Sequence, residues 1–222
     1  MMKLVQLAFL TVILFPAFAT NAVENPREIN WESLLPKMMQ LKNPFESLNT
    51  DQLVDLETIV GITKLKQNAN AEEIKEALDV EITLRRKMEK RGLDVDTLIR
   101  EYLNHEAEII RRNRLTNKEL DGQLVRMPGY ALPLEHKGLG VTDLLLVPYV
   151  GACIHVPPPP PNQIIYVTLT DPYKLRGLYE PVLITGRLLI EPANKSLFLV
   201  DGSADIPTSY TLKGVKVERY EE

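Results

Sequence analysis

Five consecutive prolines at positions 157–161 constrain the fold of this 222-residue chain more than any other feature of its sequence. Each proline fixes φ at about −65° and lacks the N–H that a helix interior or a central strand needs. A run of five favours a polyproline II rod about 15 Å long. Such a rod has to lie at an edge or on the surface, so the sequence predicts a rigid docking rim here. The predicted rim consists of Pro157, Pro158, Pro159, Pro160, Pro161, Asn162 and Gln163.

The only cysteine of the chain, Cys153, precedes this run and stands two residues before His155. If residues 152–156 form a strand, both side chains lie on one face, because alternate residues of a strand point the same way. Thiolate sulfur and imidazole nitrogen are good zinc or copper ligands, so the pair predicts a zinc site. Two ligands do not complete such a site. Further ligands could come from a partner protein or from Glu135, His136, Asp171 or Asp205.

Other roles for Cys153 remain open at this stage. A free cysteine often packs as a small apolar residue. It can also serve as a nucleophile with His155 as its base, an arrangement that adjacent strand positions rarely achieve. In an exported chain a lone cysteine can bond to another molecule. The sequence therefore assigns no catalytic residue and favours a non-enzymatic protein.

The first 22 residues are predicted to be a signal peptide. Lys3 gives a positive start, residues 4–18 are apolar and uncharged, and small residues allow cleavage after Ala19 or Ala22. The apolar run is shorter than the ~20 residues that a spanning helix needs, and no later stretch is apolar enough to span. We therefore expect a periplasmic protein with no transmembrane span after cleavage.

The charge balance argues against nucleic acid as a partner. The chain has 26 Lys and Arg against 30 Asp and Glu, which gives a net charge of −4. Nucleic-acid-binding domains usually have a basic excess or a basic stripe, and neither dominates this sequence. Export makes nucleic acid still less probable as a ligand.

Residues 23–115 are predicted to be a leader followed by helices. The leader carries Trp31 on a short turn that we expect to dock on the main body. The stretch that follows has apolar residues at helical spacing, with Asn49 or Thr50 as its N-cap. Charged residues of both signs alternate along the helices, which is typical of solvated faces.

Two glycines are predicted to end helices in this segment. Gly61 follows the apolar stripe of the first helix, and Gly92 follows Lys90 and Arg91 at the end of the second. Glycine adopts the left-handed conformation that terminates many helices, and basic residues in the last turn complement the helix dipole. A third helix is predicted over residues 94–114.

After residue 116 the pattern changes to short strands. Segments rich in Val, Ile, Leu, Thr and Tyr are separated by Gly, Pro, Asn and Asp. Six or seven such strands over residues 116–222 predict a small, mostly antiparallel β-barrel that is similar to oligonucleotide/oligosaccharide-binding (OB) barrels. Residues 191–196, EPANKS, are predicted to form a hairpin loop. The predicted fold class is α+β, a helical segment followed by an OB-like barrel.

Three strings in this second half, MPGYALPLE, LLLVPYVGACIHVPPPPPNQIIYV and VKVERY, resemble the exported bacterial proteins of the domain-of-unknown-function family 3299. The resemblance covers about residues 116–222 and includes the leader string INWESLLP. It implies a periplasmic or lipid-anchored protein, often encoded beside an exporter-type ABC transporter and in some cases linked to zinc limitation. The family pattern points at Cys153, His155 and the proline run, and it supplies no catalytic residues.

These observations lead to three functional hypotheses. The first is a non-enzymatic accessory protein of an envelope ABC transport system that handles zinc through Cys153 and His155. The second is a ligand-free protein-docking module that uses the proline rim. The third is a thiol-dependent enzyme.

Overall fold

The structure is a computed structural model that describes residues 24–66, 71–134, 140–153, 158–199 and 202–220. The predicted signal peptide, residues 1–22, lies outside these ranges and stays a prediction. None of the helices in the described ranges combines the length and the apolar character needed to cross a membrane.

Three helices follow the leader: α1 (Thr50–Leu65), α2 (Ala71–Glu89) and α3 (Val95–Arg112). Asn49 caps α1 as predicted. Its side chain accepts a hydrogen bond from the backbone N–H of Gln52 at 3.0 Å, and the Gln52 side chain accepts one from the N–H of Asn49 at 2.9 Å. This reciprocal pair is a capping box, which satisfies two N–H groups that have no partner inside the helix.

The two glycines that were predicted to end helices behave differently. Gly92 has φ +77° and follows α2, so that prediction is confirmed. The prediction for Gly61 is wrong, because α1 continues to Leu65. A glycine inside a helix costs about 1 kcal/mol relative to alanine. Burial of the flanking Val60 and Ile62 outweighs that cost.

The core of the helical segment is apolar, but its edge contains two buried carboxylates. Asp55 forms an ion pair with Lys87 at 2.6 Å. Glu81 forms ion pairs with Lys66 and with Arg85, the latter at 2.9 Å. The Asp55–Lys87 and Glu81–Lys66 pairs connect α2 to α1 and to the residue that follows α1, whereas Glu81–Arg85 lies within α2. The apolar core they border consists of Phe45, Leu56, Ile59, Val60, Met88, Val95 and Ile99.

Eight strands occur in the described ranges: β1 (Arg27–Glu28), β2 (Leu124–Pro133), β3 (Val141–Val147), β4 (Ile165–Tyr173), β5 (Glu180–Leu189), β6 (Ala193–Leu199), β7 (Gly202–Thr208) and β8 (Tyr210–Arg219). Five of them close a barrel in the order β2-β3-β4-β8-β5, with β5 pairing back onto β2. The β4–β8 pair is parallel and the other four are antiparallel. The predicted α+β class with a mostly antiparallel, OB-like barrel is confirmed.

Strands β6 and β7 form a separate antiparallel hairpin beside the barrel. The prediction of a loop over residues 191–196 is wrong, because β6 begins at Ala193. Leu197 of β6 and Ile206 of β7 are both buried against the barrel. Their burial favours pairing here despite the turn-forming residues Pro192 and Asn194.

The barrel closes at a glycine. Gly186 of β5 lies so close to β8 that a Cβ atom there would be 2.5 Å from the carbonyl oxygen of Lys213. The register of the β5–β8 ladder shifts between Thr185 and Gly186. Glycine is needed where two backbones approach this closely at a bulge. The side chains of β5 alternate between buried and less buried positions, as expected for a barrel wall.

The leader packs on the barrel, as the sequence predicted. Strand β1 pairs in parallel with β2, and the Trp31 ring lies over Gly129, where a Cβ atom would be 2.9 Å from Trp31 Cζ2. Leu34 is fully buried. Its carbonyl oxygen accepts a hydrogen bond from the Tyr210 hydroxyl at 2.6 Å and one from the Asn117 N–H at 3.1 Å.

Candidate functional site

Cys153 lies in a turn, whereas the zinc prediction assumed a strand over residues 152–156. Ala152 makes an isolated bridge, and Cys153 has φ +69°, which is a left-handed conformation. His155 and Pro157 lie outside the described residues. The side-by-side arrangement of Cys153 and His155 therefore stays a prediction. Cys153 itself is not in a strand, so the alternation assumed for the pair does not begin at this residue.

The Cys153 side chain packs in an apolar cluster and is 7% exposed. Burial raises the pKa of its thiol from 9.0 to about 11. The thiol is therefore protonated near neutral pH, whereas both metal ligation and nucleophilic attack use the thiolate. In the described environment Cys153 acts as a packing residue. The cluster lies between the barrel and the β6–β7 hairpin and contains Leu132, Leu145, Val147, Ala152, Ile164, Tyr179, Leu197 and Ile206.

Tyr179 fastens the turn that carries Cys153. Its hydroxyl donates a hydrogen bond to the carbonyl oxygen of Ala152 at 2.6 Å, and burial raises its pKa to about 12. Tyr179 also has a positive φ of 58°. A left-handed non-glycine residue costs about 1 kcal/mol or more, so packing in this cluster holds both residues in conformations that they would otherwise avoid.

The further predicted ligands do not gather around Cys153 in the described part of the chain. Asp171 is exposed on β4, and Asp205 is exposed on β7, where it accepts a hydrogen bond from Ser196 Oγ at 2.8 Å. Glu135 and His136 lie outside the described residues. Within those residues, no group of three or more His, Cys, Asp or Glu side chains is placed to hold a metal ion.

The proline run is less exposed than the sequence predicted. Pro158 is exposed, but Pro159 is buried. Pro160 has φ −61° and ψ 153°, which is the polyproline II conformation, and the chain then enters a 3₁₀ turn over Pro161–Gln163. The described part of the rod therefore ends at Pro160, and the residues after it face other elements of the fold.

Asn162 joins the end of α3 to the barrel and is 2% exposed. Its side-chain N–H₂ donates to the carbonyl oxygens of Arg112 at 3.0 Å and Leu115 at 2.9 Å. Its backbone N–H donates to the carbonyl oxygen of Asn113 at 3.1 Å. The sequence indicated a docking role for Asn162 and missed this joint, because its partners are nearly 50 residues away along the chain.

The same turn also contacts the leader and Ser209, the residue that precedes β8. The side-chain N–H₂ of Gln163 donates to the carbonyl oxygen of Trp31 at 3.1 Å. The backbone N–H of Ser209 donates to the carbonyl oxygen of Pro161 at 2.8 Å. The end of the proline run is thus the point where the leader, the helical segment and the barrel meet.

A groove on the barrel surface combines aromatic rings with prolines and encloses about 220 Å³. Trp31 comes from the leader, Tyr130 from β2, and Tyr220 follows β8. The sequence did not reveal this groove, since its parts are far apart in the chain. We call it the aromatic groove; it is lined by Trp31, Pro128, Gly129, Tyr130, Pro148, Pro181 and Tyr220.

The fold is that of an α+β protein in which a leader packs on an OB-like barrel and three helices form a separate core, joined to the barrel through the turn at Pro161–Gln163. The chain belongs to the family described as protein of unknown function (DUF3299), which it matches over residues 31–219. The predicted resemblance is therefore confirmed. The match begins at Trp31, so it includes the leader and the helices as well as the barrel that carried the resemblance.

Comparison with solved structures finds a crystal structure of a DUF3299 family protein from Pseudomonas aeruginosa PAO1. The two proteins are 26% identical, and the similarity covers 89% of this chain and 98% of that one with a TM-score of 0.49. No curated protein matches the chain.

Proposed function

We propose that this chain is a non-enzymatic, exported accessory protein that docks on a component of an envelope ABC transport system. The aromatic groove would receive an extended, proline-containing segment of that partner. The observation that carries the proposal is the composition of the groove, which combines three aromatic rings with three prolines. The periplasmic location and the ABC transport system come from the sequence and from the family resemblance.

The groove matches the chemistry of a polyproline II ligand. Such a segment has no internal hydrogen bonds, so it presents flat rings and bare carbonyl oxygens, which aromatic grooves recognise. In the described part of the chain, the indole N–H of Trp31 and the hydroxyl of Tyr220 have no hydrogen-bond partner. Both can donate to peptide carbonyls. Tyr220 is 41% exposed and therefore accessible.

The state of Cys153 supports a binding role over a thiol-dependent enzyme. A protonated thiol inside an apolar cluster is a poor nucleophile, and burial raises its pKa to about 11. The proline rim, the docking surface of the second hypothesis, is partly used inside the fold. Pro159 and Asn162 are buried, which leaves the aromatic groove as the better docking surface.

The groove can be tested with the chain's own fluorescence, because Trp31 is its only tryptophan. We expect a proline octapeptide amide to shift the Trp31 emission, and a glycine–serine octapeptide to leave it unchanged. Tyr220→Ala should weaken binding about tenfold, since an aromatic contact of this kind contributes about 1–1.5 kcal/mol. Tyr149→Ala, an exposed tyrosine outside the groove lining, is the matched control. No response to octaproline at millimolar concentration would contradict the groove.

The transport system is tested separately in cells that express the chain with a photoreactive residue in place of Tyr220. We expect a crosslink to a proline-containing segment of an ABC transport component, identified by mass spectrometry. The same residue in place of Tyr149 should give no such product. If the groove binds octaproline but crosslinks only to other proteins, the docking proposal stands. The proposal that the partner belongs to an ABC transport system is then rejected.

A further inference from the structure

A second cavity, of about 520 Å³, lies where the turn after α3 meets the β6–β7 hairpin. Its volume is in the range of pockets that hold small organic ligands. It shares no lining residue with the aromatic groove. The residues that line this cavity include Arg114, Pro161, Pro192, Asn194, Pro207 and Thr208.

Thr208 gives this cavity an unsatisfied polar group. Its side chain is 2% exposed, and within the described part of the structure its hydroxyl has no hydrogen-bond partner. The side-chain oxygen of Asn162, next to Pro161, is likewise buried and unpaired there. Buried polar groups in proteins are almost always paired. The hydroxyl oxygen of Thr208 itself has almost no accessible surface, so a ligand in the cavity can supply its missing partner only once the Thr208 side chain rotates towards the cavity.

Arg114 gives the cavity an uncompensated positive charge. It is the last of three arginines at the end of α3, and the other two both bind Glu108. Arg111 and Arg112 each donate to that carboxylate at 2.7 Å, and Arg112 also donates to the carbonyl oxygen of Met39 at 2.7 Å. Arg114 has no carboxylate within ion-pair distance among the described residues.

The backbone that carries Arg114 is fixed in advance. Asn162 donates hydrogen bonds to the carbonyl oxygens on both sides of it, those of Arg112 and Leu115. The N–H of Arg114 donates to the carbonyl oxygen of Arg111 at 3.2 Å. A site whose backbone is already ordered loses less conformational entropy when a ligand binds.

We propose that this cavity binds a small organic carboxylate with an apolar body. The Arg114 guanidinium donates to the carboxylate, in the paired geometry that arginine favours. The apolar body lies against the rings of Pro161, Pro192 and Pro207. Rotation of the Thr208 side chain towards the cavity lets its hydroxyl pair with a hydroxyl group on the ligand. The site is independent of the aromatic groove and of the function proposed for it.

The charge requirement is tested by calorimetry with 3-phenylpropionate and its neutral analogue 3-phenylpropanamide. We expect the folded protein to bind the acid at least about tenfold more tightly than the amide. Arg114→Gln should abolish this preference. Arg111→Gln removes the same charge from the same helix end, outside the cavity, and should retain it. Equal binding of acid and amide, no binding of either, or the same loss in both variants would overturn the proposal.

The role of Thr208 is tested with 3-phenyllactate, which adds one hydroxyl group to 3-phenylpropionate. We expect the wild type to bind 3-phenyllactate several-fold more tightly, as one added hydrogen bond allows. Thr208→Val keeps the shape of the side chain and should remove this gain while retaining the preference for acid over amide. Circular dichroism melting checks that the variant is folded. A gain that survives in Thr208→Val would overturn the part assigned to Thr208.

Discussion

The helical segment and the barrel of this protein bury charge in different ways. In the helices, Asp55 and Glu81 are buried among α1 and α2 and rely on cationic partners from those helices. The interior of the barrel is apolar, and its buried carboxylate, Glu180, pairs with Arg219 at the barrel rim at 3.0 Å. The helical segment therefore adds buried ion pairs to its apolar core, and the barrel depends on apolar packing and on closure of its ladder.

Because the two regions are stabilised differently, the contact that Asn162 makes between the barrel and the end of α3 is important. Few side chains connect the two regions, and Asn162 supplies three hydrogen bonds from the proline turn to the end of α3. If the two regions respond differently to substitution and to pH, this residue determines whether they unfold together. The four predictions below test the comparison, beginning with the largest expected effect.

Gly186→Ala is expected to be the most destabilising change, because it acts on barrel closure. The new Cβ atom would lie 2.5 Å from the carbonyl oxygen of Lys213, so the two backbones have to separate. We expect the free energy of unfolding in urea to fall by about 3 kcal/mol. Gly177→Ala, where a Cβ atom meets open space, should change it by less than about 0.5 kcal/mol. A similar, small effect of both substitutions would show that the barrel does not need this close approach.

Asn162→Ala is expected to uncouple the two regions. It removes the side-chain donor to the carbonyl oxygens of Arg112 and Leu115. The Arg112 oxygen keeps the N–H of Leu115 as a partner, so the Leu115 oxygen is the one left unpaired, at a cost of about 2 kcal/mol. We expect unfolding to separate into two transitions, observed by helical circular dichroism and by Trp31 fluorescence, which reports on the barrel surface. The control is Asn104→Ala, on the exposed face of α3. Coincident transitions in both variants would mean that other contacts join the regions.

Glu81→Gln is expected to weaken the helical segment alone. Burial by itself would raise the pKa of Glu81, but hydrogen bonds from Lys66 and Arg85 lower it. The ionised carboxylate therefore stabilises the fold above its usual pKa, and this contribution is lost as pH falls through the lowered value. We expect a loss of about 1–2 kcal/mol at neutral pH, measured by helical circular dichroism.

The control for Glu81 is Glu106→Gln. Glu106 pairs with Lys64 at 2.6 Å in a more exposed position, where an ion pair contributes about 0.5 kcal/mol or less. Equal losses in the two variants would remove the distinction between buried and exposed pairs on which the comparison depends. A loss of the barrel signal together with the helical signal in Glu81→Gln would do the same.

Cys153→Ala is expected to have the smallest effect at neutral pH and a diagnostic effect at alkaline pH. Because burial raises the thiol pKa from 9.0 to about 11, the unfolded chain ionises before the folded protein. The wild type should therefore lose stability as pH rises from 9.0 towards 11. Cys153→Ala should lose less over the same range. Parallel pH profiles for the two proteins would mean that the thiol is not shielded in the folded state.

The same site tests the zinc prediction for Cys153 and His155. Metal analysis compares the wild type with Cys153→Ser after export into the periplasm. A higher zinc content in the wild type supports metal binding by Cys153, and equal zinc contents reject the zinc prediction. Alkylation adds a second measurement, since a buried, protonated thiol should react far more slowly than a free peptide thiol.

Local sequence patterns predicted most helices and strands. The conformations of Cys153 and of the turn at Pro161 depend on contacts with residues far away in the chain. The Asn49 cap is recognisable because its partner Gln52 is three residues away, and the strands follow from their composition and spacing. The conformation of Cys153 could not be predicted, since its positive φ is held by a cluster assembled from distant strands. The turn at Pro161 depends on hydrogen bonds from Asn162 to the end of α3. A sequence window around the prolines contains none of those partners.

The hydrogen bond from the Tyr210 hydroxyl to the carbonyl oxygen of Leu34 spans 176 residues, from the first residue of β8 back to the leader. During synthesis the leader emerges long before the barrel on which it packs is complete, because Tyr210 begins β8, the last strand of the barrel. Contacts of such high sequence separation form slowly and leave apolar segments uncovered in the meantime. We therefore expect nascent chains that still lack β8 to depend on a chaperone that holds them unfolded until synthesis is complete.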